Sequence, residues 1–210
     1  MLPLLIPIFP LPNVVLFPHV SLPLHIFEPR YREMVGDALN GDRTIGVILL
    51  QPGYEAEYDR RPRVFSIGCA GAITHSEQLD DGRYNIVLRG LERFHLVSEP
   101  NPAKSYRVAQ VSGLPETVPD DHRAELRRHR HRLEALLAAA AERTGTRPRF
   151  PPPVPDEYLV NGLAQHLELD PLERQALLER EGALERCRGL LELIEMKSLT
   201  PRGPWTGAVH

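Results

Sequence analysis

The hydrophobic rhythm of the chain changes once, near residue 115. Before that point the apolar runs are short, rich in Val, Ile and Phe, and punctuated by Gly and Pro, as strands and their turns require. After it, Leu and Ala recur at spacings of three and four among Glu and Arg, the period of helices with one buried face. Residues 1–115 therefore read as a β-rich unit, 116–198 as a helical unit and 199–210 as a tail.

Within the first unit the pattern predicts strands near 4–9, 20–27, 44–50, 64–76, 84–98 and 105–112. The clearest hairpin joins Ile67–Ser76 to Tyr84–Val97 through Asp80-Asp81-Gly82, because an Asp-Gly pair supplies the positive φ of a tight turn. Gly90 interrupts the second of these strands, which marks a bulge or a sharp bend. Long, bent, antiparallel strands with few helices between them suggest a small barrel, since closure removes exposed edges. One helix breaks the run. Pro29 suits its first position, Tyr31, Met34, Val35 and Ala38 share one face, and Asn40-Gly41 predicts a left-handed C-cap.

In the second unit, Pro119-Asp120-Asp121 opens a helix running to about Arg143, acidic residues being favourable at a helix N-terminus. Leu126, Leu133, Leu136, Leu137 and Ala140 form its apolar stripe, with the arginines and histidines between them facing outward as a solvated cationic face. The proline-rich Thr144–Pro155 stretch reads as a connector. A helix over Asp156–Leu167 follows. Asp170-Pro171-Leu172-Glu173 then combines a capping Asp, Pro at the first position and Glu at the third, a capping box without the hydroxyl. The last helix, about Gly182–Ser198, buries Leu184, Cys187, Leu190, Leu191 and Ile194, and no pattern continues beyond Pro201. The expected class is α+β: an N-terminal antiparallel β-barrel followed by a C-terminal helical bundle.

Charge narrows the function. The net charge of 210 residues is −3, with 11 Lys/Arg against 12 Asp/Glu before residue 115 and 14 against 16 after it. Neither unit has the basic excess that grips phosphate backbones, so nucleic acid is not the expected partner. The start of the chain is apolar, but Pro3, Pro7, Pro10, Pro12 and Pro18 forbid a helix there and no basic segment precedes it. A secretory signal or membrane span needs both continuity and helix, so extended chain inside a cytoplasmic domain is expected, with Leu5, Ile8, Phe9 and Leu11 in the core. Cys69 and Cys187 lie in separate apolar segments, as buried reduced thiols do.

No catalytic, cofactor-binding or metal-binding residues are expected. His129 and His131 are two apart on a helix and point about 200° away from each other. His19 and His25 have only Glu28 nearby as a carboxylate, and Ser21, Ser66 and Ser76 lack a G-x-S-x-G context. The sharpest polar feature is Glu28-Pro29-Arg30-Tyr31. Its structural reading pairs Glu28 with Arg30 around the helix start, and with Arg89 or Arg93. Its functional reading places the segment at the edge of a groove where an extended peptide docks.

These residues carry a resemblance. Leu11-Pro12-Asn13-Val14-Val15-Leu16-Phe17-Pro18 and Leu22-Pro23-Leu24-His25-Ile26-Phe27-Glu28-Pro29-Arg30-Tyr31 resemble the opening of the Lon protease N-terminal domain, in the form found in free-standing bacterial members and in RING–Lon proteins. Gly82 to Phe94 and Leu169 to Glu179 resemble later signatures of the same family, in the same order. The resemblance implies a PUA-like barrel followed by a helical bundle, recognition of unfolded or partly exposed polypeptides, self-association, and work alongside a protease in protein quality control. It does not imply catalysis here. The ATPase of full Lon proteases needs a G-x-x-x-x-G-K-[ST] loop, and this chain has no Gly-Lys pair and no peptidase domain with its Ser–Lys pair. The expected function is a non-catalytic polypeptide-binding module, with Phe27, Glu28, Arg30, Tyr31, Arg89 and Arg93 as the candidate contacts to its client. Two alternatives belong to other classes. PUA-like barrels also bind RNA, with Tyr84, Arg89, Arg93 and Phe94 as a stacking set. The relation to cereblon suggests a small-molecule sensor, but the sole Trp205 lies in the tail.

Overall fold

The computed structural model describes residues 2–58, 60–100, 103–144 and 154–199. Most of the expected connector, the end of the tail and Trp205 lie outside the described residues. The chain divides into two compact units, Met1–Pro115 and Glu116–His210.

The first unit contains β1 (Leu5–Leu11), β2 (Ser21–Ile26), α1 (Pro29–Asn40), β3 (Thr44–Leu49), a 3-10 turn at Tyr54–Glu57, β4 (Ile67–Gln78), β5 (Tyr84–Ser98) and β6 (Arg107–Leu114). Strand order is β2-β5-β4-β3-β1-β6, and an added β5–β6 pairing closes β1, β3, β4, β5 and β6 into a barrel. Strand alternation points Ile6 and Ile8 inward, where they meet Ile48, Ala70, Phe94, Ala109 and Val111. Phe9, on the opposite face, is buried by Tyr31 of α1 at a ring separation of 4.3 Å. Leu5, expected in the core, is exposed, because the period of two turns it outward when Ile6 turns in.

Two further expectations need correction. The barrel is not wholly antiparallel: β1 and β3 pair in parallel, Ile8 opposite Gly46 through Leu11 opposite Leu49. The chain between them forms β2 and α1, a crossover long enough to bring β3 back in the same direction. Nor does Gly41 make a left-handed cap; its φ is −117°. Ala38 O accepts from Gly41 N at 3.1 Å and from Arg43 N at 2.9 Å, and the positive φ falls on Arg43, at 54°.

Gly82 does adopt a positive φ, 80°, in the β4–β5 turn. Gly90 divides β5 between two partners. β2 pairs with Tyr84–Arg89, and β6 pairs from Arg93 onward. At the switch, Gly90 N donates to Val20 O at 2.9 Å and Gly90 O accepts from His19 N at 2.8 Å. A Cβ on Gly90 would lie 2.1 Å from Phe17 O, so only Gly fits. The register slips beside it, between Ala70 and Gly71, and again between Leu96 and Ser98. The residues left over are Leu91 and Val97, the two exposed large apolar residues of β5.

The second unit contains α2 (Asp120–Thr144), α3 (Asp156–His166), α4 (Pro171–Glu179) and α5 (Gly182–Leu199). The expected stripes are buried at Leu126, Leu133 and Leu137 of α2 and at Leu184, Cys187, Leu190, Leu191 and Ile194 of α5; Leu136 is half-buried, and the Ala140 side chain lies outside the described residues. The cationic face of α2 is less solvated than expected. Arg130 is half-buried, bonded to Asp156 Oδ1 at 2.7 Å and Glu134 Oε1 at 3.0 Å, and His129 reaches Glu125 at 3.4 Å. Glu173 Oε2 accepts from Asp170 N at 2.8 Å, completing the capping box that opens α4. At the centre sits Arg186, 0% exposed. It donates to Asn161 Oδ1 at 2.6 Å, Leu177 O at 3.2 Å and Glu116 Oε1 at 2.6 Å. Among the described residues no helix is long and apolar enough to cross a membrane.

Candidate functional site

The start of α1 is fixed by its own sequence. Glu28 is extended and Pro29 occupies the first turn, where its missing N–H costs nothing. Glu28 then holds two neighbours: Arg30 Nε donates to Glu28 Oε2 at 2.9 Å and Tyr58 Oη donates to Glu28 Oε1 at 3.2 Å. The Arg30 guanidinium lies 4.6 Å from the Tyr31 ring centroid and 5.3 Å from that of Tyr58, close enough for cation–π attraction. Burial pushes the Tyr31 phenol up to about 12, so it stays protonated and able to donate at neutral pH.

A second wall precedes and begins β6. Tyr106 Oη and Lys104 Nζ both donate to Asp37 Oδ2 of α1, at 2.6 and 2.7 Å, and these bonds hold the Asp37 carboxyl below its ordinary value. Ser105 Oγ donates to Glu33 Oε2 at 2.6 Å. Arg107 Nε donates to Glu99 Oε2 at 2.7 Å and its Nη1 to Pro62 O at 2.8 Å. The third wall is the loop carrying Tyr58, Arg60, Arg61 and Pro62.

These walls enclose an open cleft of about 140 Å³, floored by Pro10 and Leu50. Its charge is segregated. Five of the eleven Lys/Arg of residues 1–115 line it and, among the described lining residues, none of the twelve Asp/Glu does. The carboxylates grip the cations from behind: Glu28 on Arg30, Asp37 on Lys104, Glu99 on Arg107. Arg60 and Arg61 are exposed and have no such partner among the described residues. Among those residues there is also no cluster of side chains able to hold a metal.

The structure separates the six residues singled out from sequence. Arg30 and Tyr31 line the cleft, with Glu28 bracing them. Phe27 is 61% exposed and stacks on His25, ring centroids 6.4 Å apart. Arg89 is exposed on β5 opposite Ser21, and Arg93 is 5% exposed, opposite Cys69 and Leu114. Glu28 therefore pairs with Arg30 and Tyr58 rather than with Arg89 or Arg93. Phe94 is fully buried beside Arg93, so the proposed base-stacking set does not form an exposed platform. Tyr58, Arg60, Arg61, Lys104, Tyr106 and Arg107 escaped the sequence reading. Their signal was local: Arg60-Arg61-Pro62-Arg63 and Lys104-Ser105-Tyr106-Arg107 are basic runs beside tyrosines.

A second concavity lies within the helical unit. Leu172, Ala176, Leu193 and Met196 line an apolar groove of about 430 Å³ between α4 and α5.

The fold and both concavities can be set beside known proteins. The family described as "ATP-dependent protease La (LON) substrate-binding domain" matches residues 5–196. This chain belongs to the LON substrate-binding domain family. It is 28% identical to the Lon protease of Cytophaga hutchinsonii over 205 residues, covering 92% of this chain and 24% of that protein. It is 26% identical to the Lon protease of Flavobacterium johnsoniae over 208 residues, covering 93% and 24%. The chain thus spans about a quarter of the length of these relatives. Among solved structures, a Lon N-terminal domain protein from Xanthomonas campestris superposes with a TM-score of 0.62 at 25% identity, covering 90% of this chain and 97% of that one. The N-terminal domain of a Mycobacterium avium complex Lon protease gives 0.67 at 16% identity, covering 91% and 98%, and shares the fold. The chain thus has the fold of these Lon N-terminal domains, here a six-stranded mixed sheet with helices.

Proposed function

We propose that the chain recognises unfolded or partly exposed polypeptides through its barrel unit and catalyses no reaction on them. The observation that carries this reading is the cleft between α1, the Tyr58–Pro62 loop and the start of β6, in a domain whose family is defined by substrate binding. Rigid tyrosines with polar tips give contact area at little entropic cost, and backbone groups of an extended chain suit polar walls. Arg30 and Tyr31 contact the client, with Glu28 positioning them, and Phe27 extends the surface. In the cell the module acts as a cytoplasmic adaptor in protein quality control, alongside a protease or a second copy of itself.

The test is direct binding. A fluorescently labelled polypeptide, held unfolded by reduction and carboxymethylation, and its native form are each titrated with the full chain. The unfolded form binds with a micromolar-range Kd and the native form does not; Tyr58→Ala weakens the binding. Equal binding of both forms, or of neither, overturns the reading.

A further inference from the structure

The cleft carries information about the kind of polypeptide it takes. We infer that it selects acidic segments, binding the carboxylates of Asp and Glu side chains through Arg60, Arg61 and the Tyr31 hydroxyl. The inference rests on the polypeptide-binding reading and deepens it.

Three observations lead there. The first is charge segregation in a unit that is otherwise balanced: 11 cations against 12 carboxylates overall, yet only cations along the cleft among the described residues. A concave surface lined by one sign of charge focuses its field on the space inside. The second is that the cations are of two kinds. Arg30, Lys104 and Arg107 are held by Glu28, Asp37 and Glu99, and their charge is largely spent on the fold. Arg60 and Arg61 have no ion-pair partner among the described residues, and a guanidinium fork can take a carboxylate side-on.

The third is Tyr31. Tyr31 as a residue is 6% exposed, but its hydroxyl is not among the buried unpaired atoms; it faces the cleft with no hydrogen-bond partner among the described residues. An oxygen acceptor entering the cleft supplies one. Two free guanidinium groups and a waiting O–H donor make a site for an oxyanion. The apolar floor of Pro10 and Leu50 suits a peptide that carries apolar residues between its carboxylates better than a phosphate chain.

Two labelled twelve-residue peptides of the same aromatic and aliphatic residues test this, one with Asp and Glu and the other with Asn and Gln at the same positions. Each is titrated with the full chain by anisotropy. At about 50 mM salt the acidic peptide binds about tenfold tighter, and the advantage shrinks at about 500 mM as the charges are screened. Arg60→Gln with Arg61→Gln removes about tenfold of affinity for the acidic peptide and leaves the neutral one unaffected. Tyr31→Phe, which keeps the ring, weakens the acidic peptide about threefold. Far-ultraviolet circular dichroism melts of both variants report folding, and either variant alone suffices. Equal affinity for the two peptides overturns the inference while the polypeptide reading survives. So does an acidic preference that persists in both variants, or an RNA of equal charge binding as tightly as the acidic peptide. Failure of both peptides to bind overturns the two readings together.

Discussion

Arg186 of the helical unit and Arg60 and Arg61 of the barrel unit are used in opposite ways. In the helical unit Arg186 is fully buried and spends its donors on Glu116, Asn161 and the Leu177 carbonyl. In the barrel unit Arg60 and Arg61 stand exposed with no partner among the described residues. A guanidinium withdrawn from water must be repaid by nearly every bond it can make, so a satisfied buried arginine is a structural fixture. One left unsatisfied costs nothing at the surface and stays available. Burial together with partner count, rather than charge, separates cations that hold the fold from those that meet a ligand.

The largest effect should come from breaking the buried set. Arg186→Ala removes the guanidinium from which Glu116 and Asn161 accept, and removing one member of a buried ion pair costs about 3–5 kcal/mol. Urea denaturation followed by tryptophan-independent circular dichroism measures it. A loss below about 1 kcal/mol, the value of an exposed pair, would place Arg186 in the same class as Arg60 and dissolve the contrast.

Alkaline pH probes the same contrast with acids in place of cations. Burial pushes the Cys187 thiol up to about 12 and the Tyr31 phenol up to about 12, one group in each unit. Both are protonated in the folded state, so the unfolded chain loses its protons first as pH rises past about 9 for the thiol and about 10 for the phenol. Stability is therefore intact below pH 9 and falls as the pH climbs toward 12. The phenol contributes about 3 kcal/mol to the loss and the thiol about 4 kcal/mol. Cys187→Ala should flatten the fall above pH 9, and Tyr31→Phe should flatten the part above pH 10. Melts across this range check both, and an unchanged profile in either variant removes that group from the account.

The sequence predicted the helical unit more fully than the barrel site, for a physical reason. A helix buries residues at i, i+3 and i+4, so Leu184, Cys187, Leu191 and Ile194 announce their shared face in local spacing. Gly90 was equally legible as a break, although what it accommodates, Phe17 O, is far away in sequence. The parallel pairing of β1 with β3 was not legible, because register and direction between distant strands leave no periodic trace. The cleft is a meeting of three segments: Arg30 and Tyr31 are visible beside Pro29, while Tyr58, Arg61 and Tyr106 arrive from loops whose only mark is composition. The burial of Arg93 opposite Cys69 was not legible, because a basic residue in a strand is usually exposed.

A smaller effect is expected at a helix end. Asp170 opens α4 and its backbone N–H is satisfied by Glu173 Oε2 at 2.8 Å. Lys197 Nζ also reaches Glu173 Oε2, at 2.7 Å, so the capping glutamate is held from α5 as well. Asp170→Ala should cost about 1 kcal/mol, the usual value of an N-cap. Thermal melts would show a drop of a few degrees, whereas a loss approaching that of Arg186→Ala would mean the cap carries tertiary structure too.

The smallest effect is the one that makes the comparison sharp. Arg60→Gln with Arg61→Gln removes two positive charges from residues that are exposed and without partners among the described residues. Surface substitutions of this kind shift stability by less than about 0.5 kcal/mol. Among the described residues no carboxylate pairs with either arginine, so relief of the repulsion between the cations of the cleft favours folding. Urea midpoints of the double variant and the parent chain should therefore coincide within error at low salt, with any difference vanishing as salt rises. A loss of about 2 kcal/mol would mean that these arginines hold the loop in place, and their freedom to meet a carboxylate would then be gone. Unchanged folding together with a weakened grip on acidic peptide is a combination that Arg186, whose every donor is committed to the fold, cannot produce.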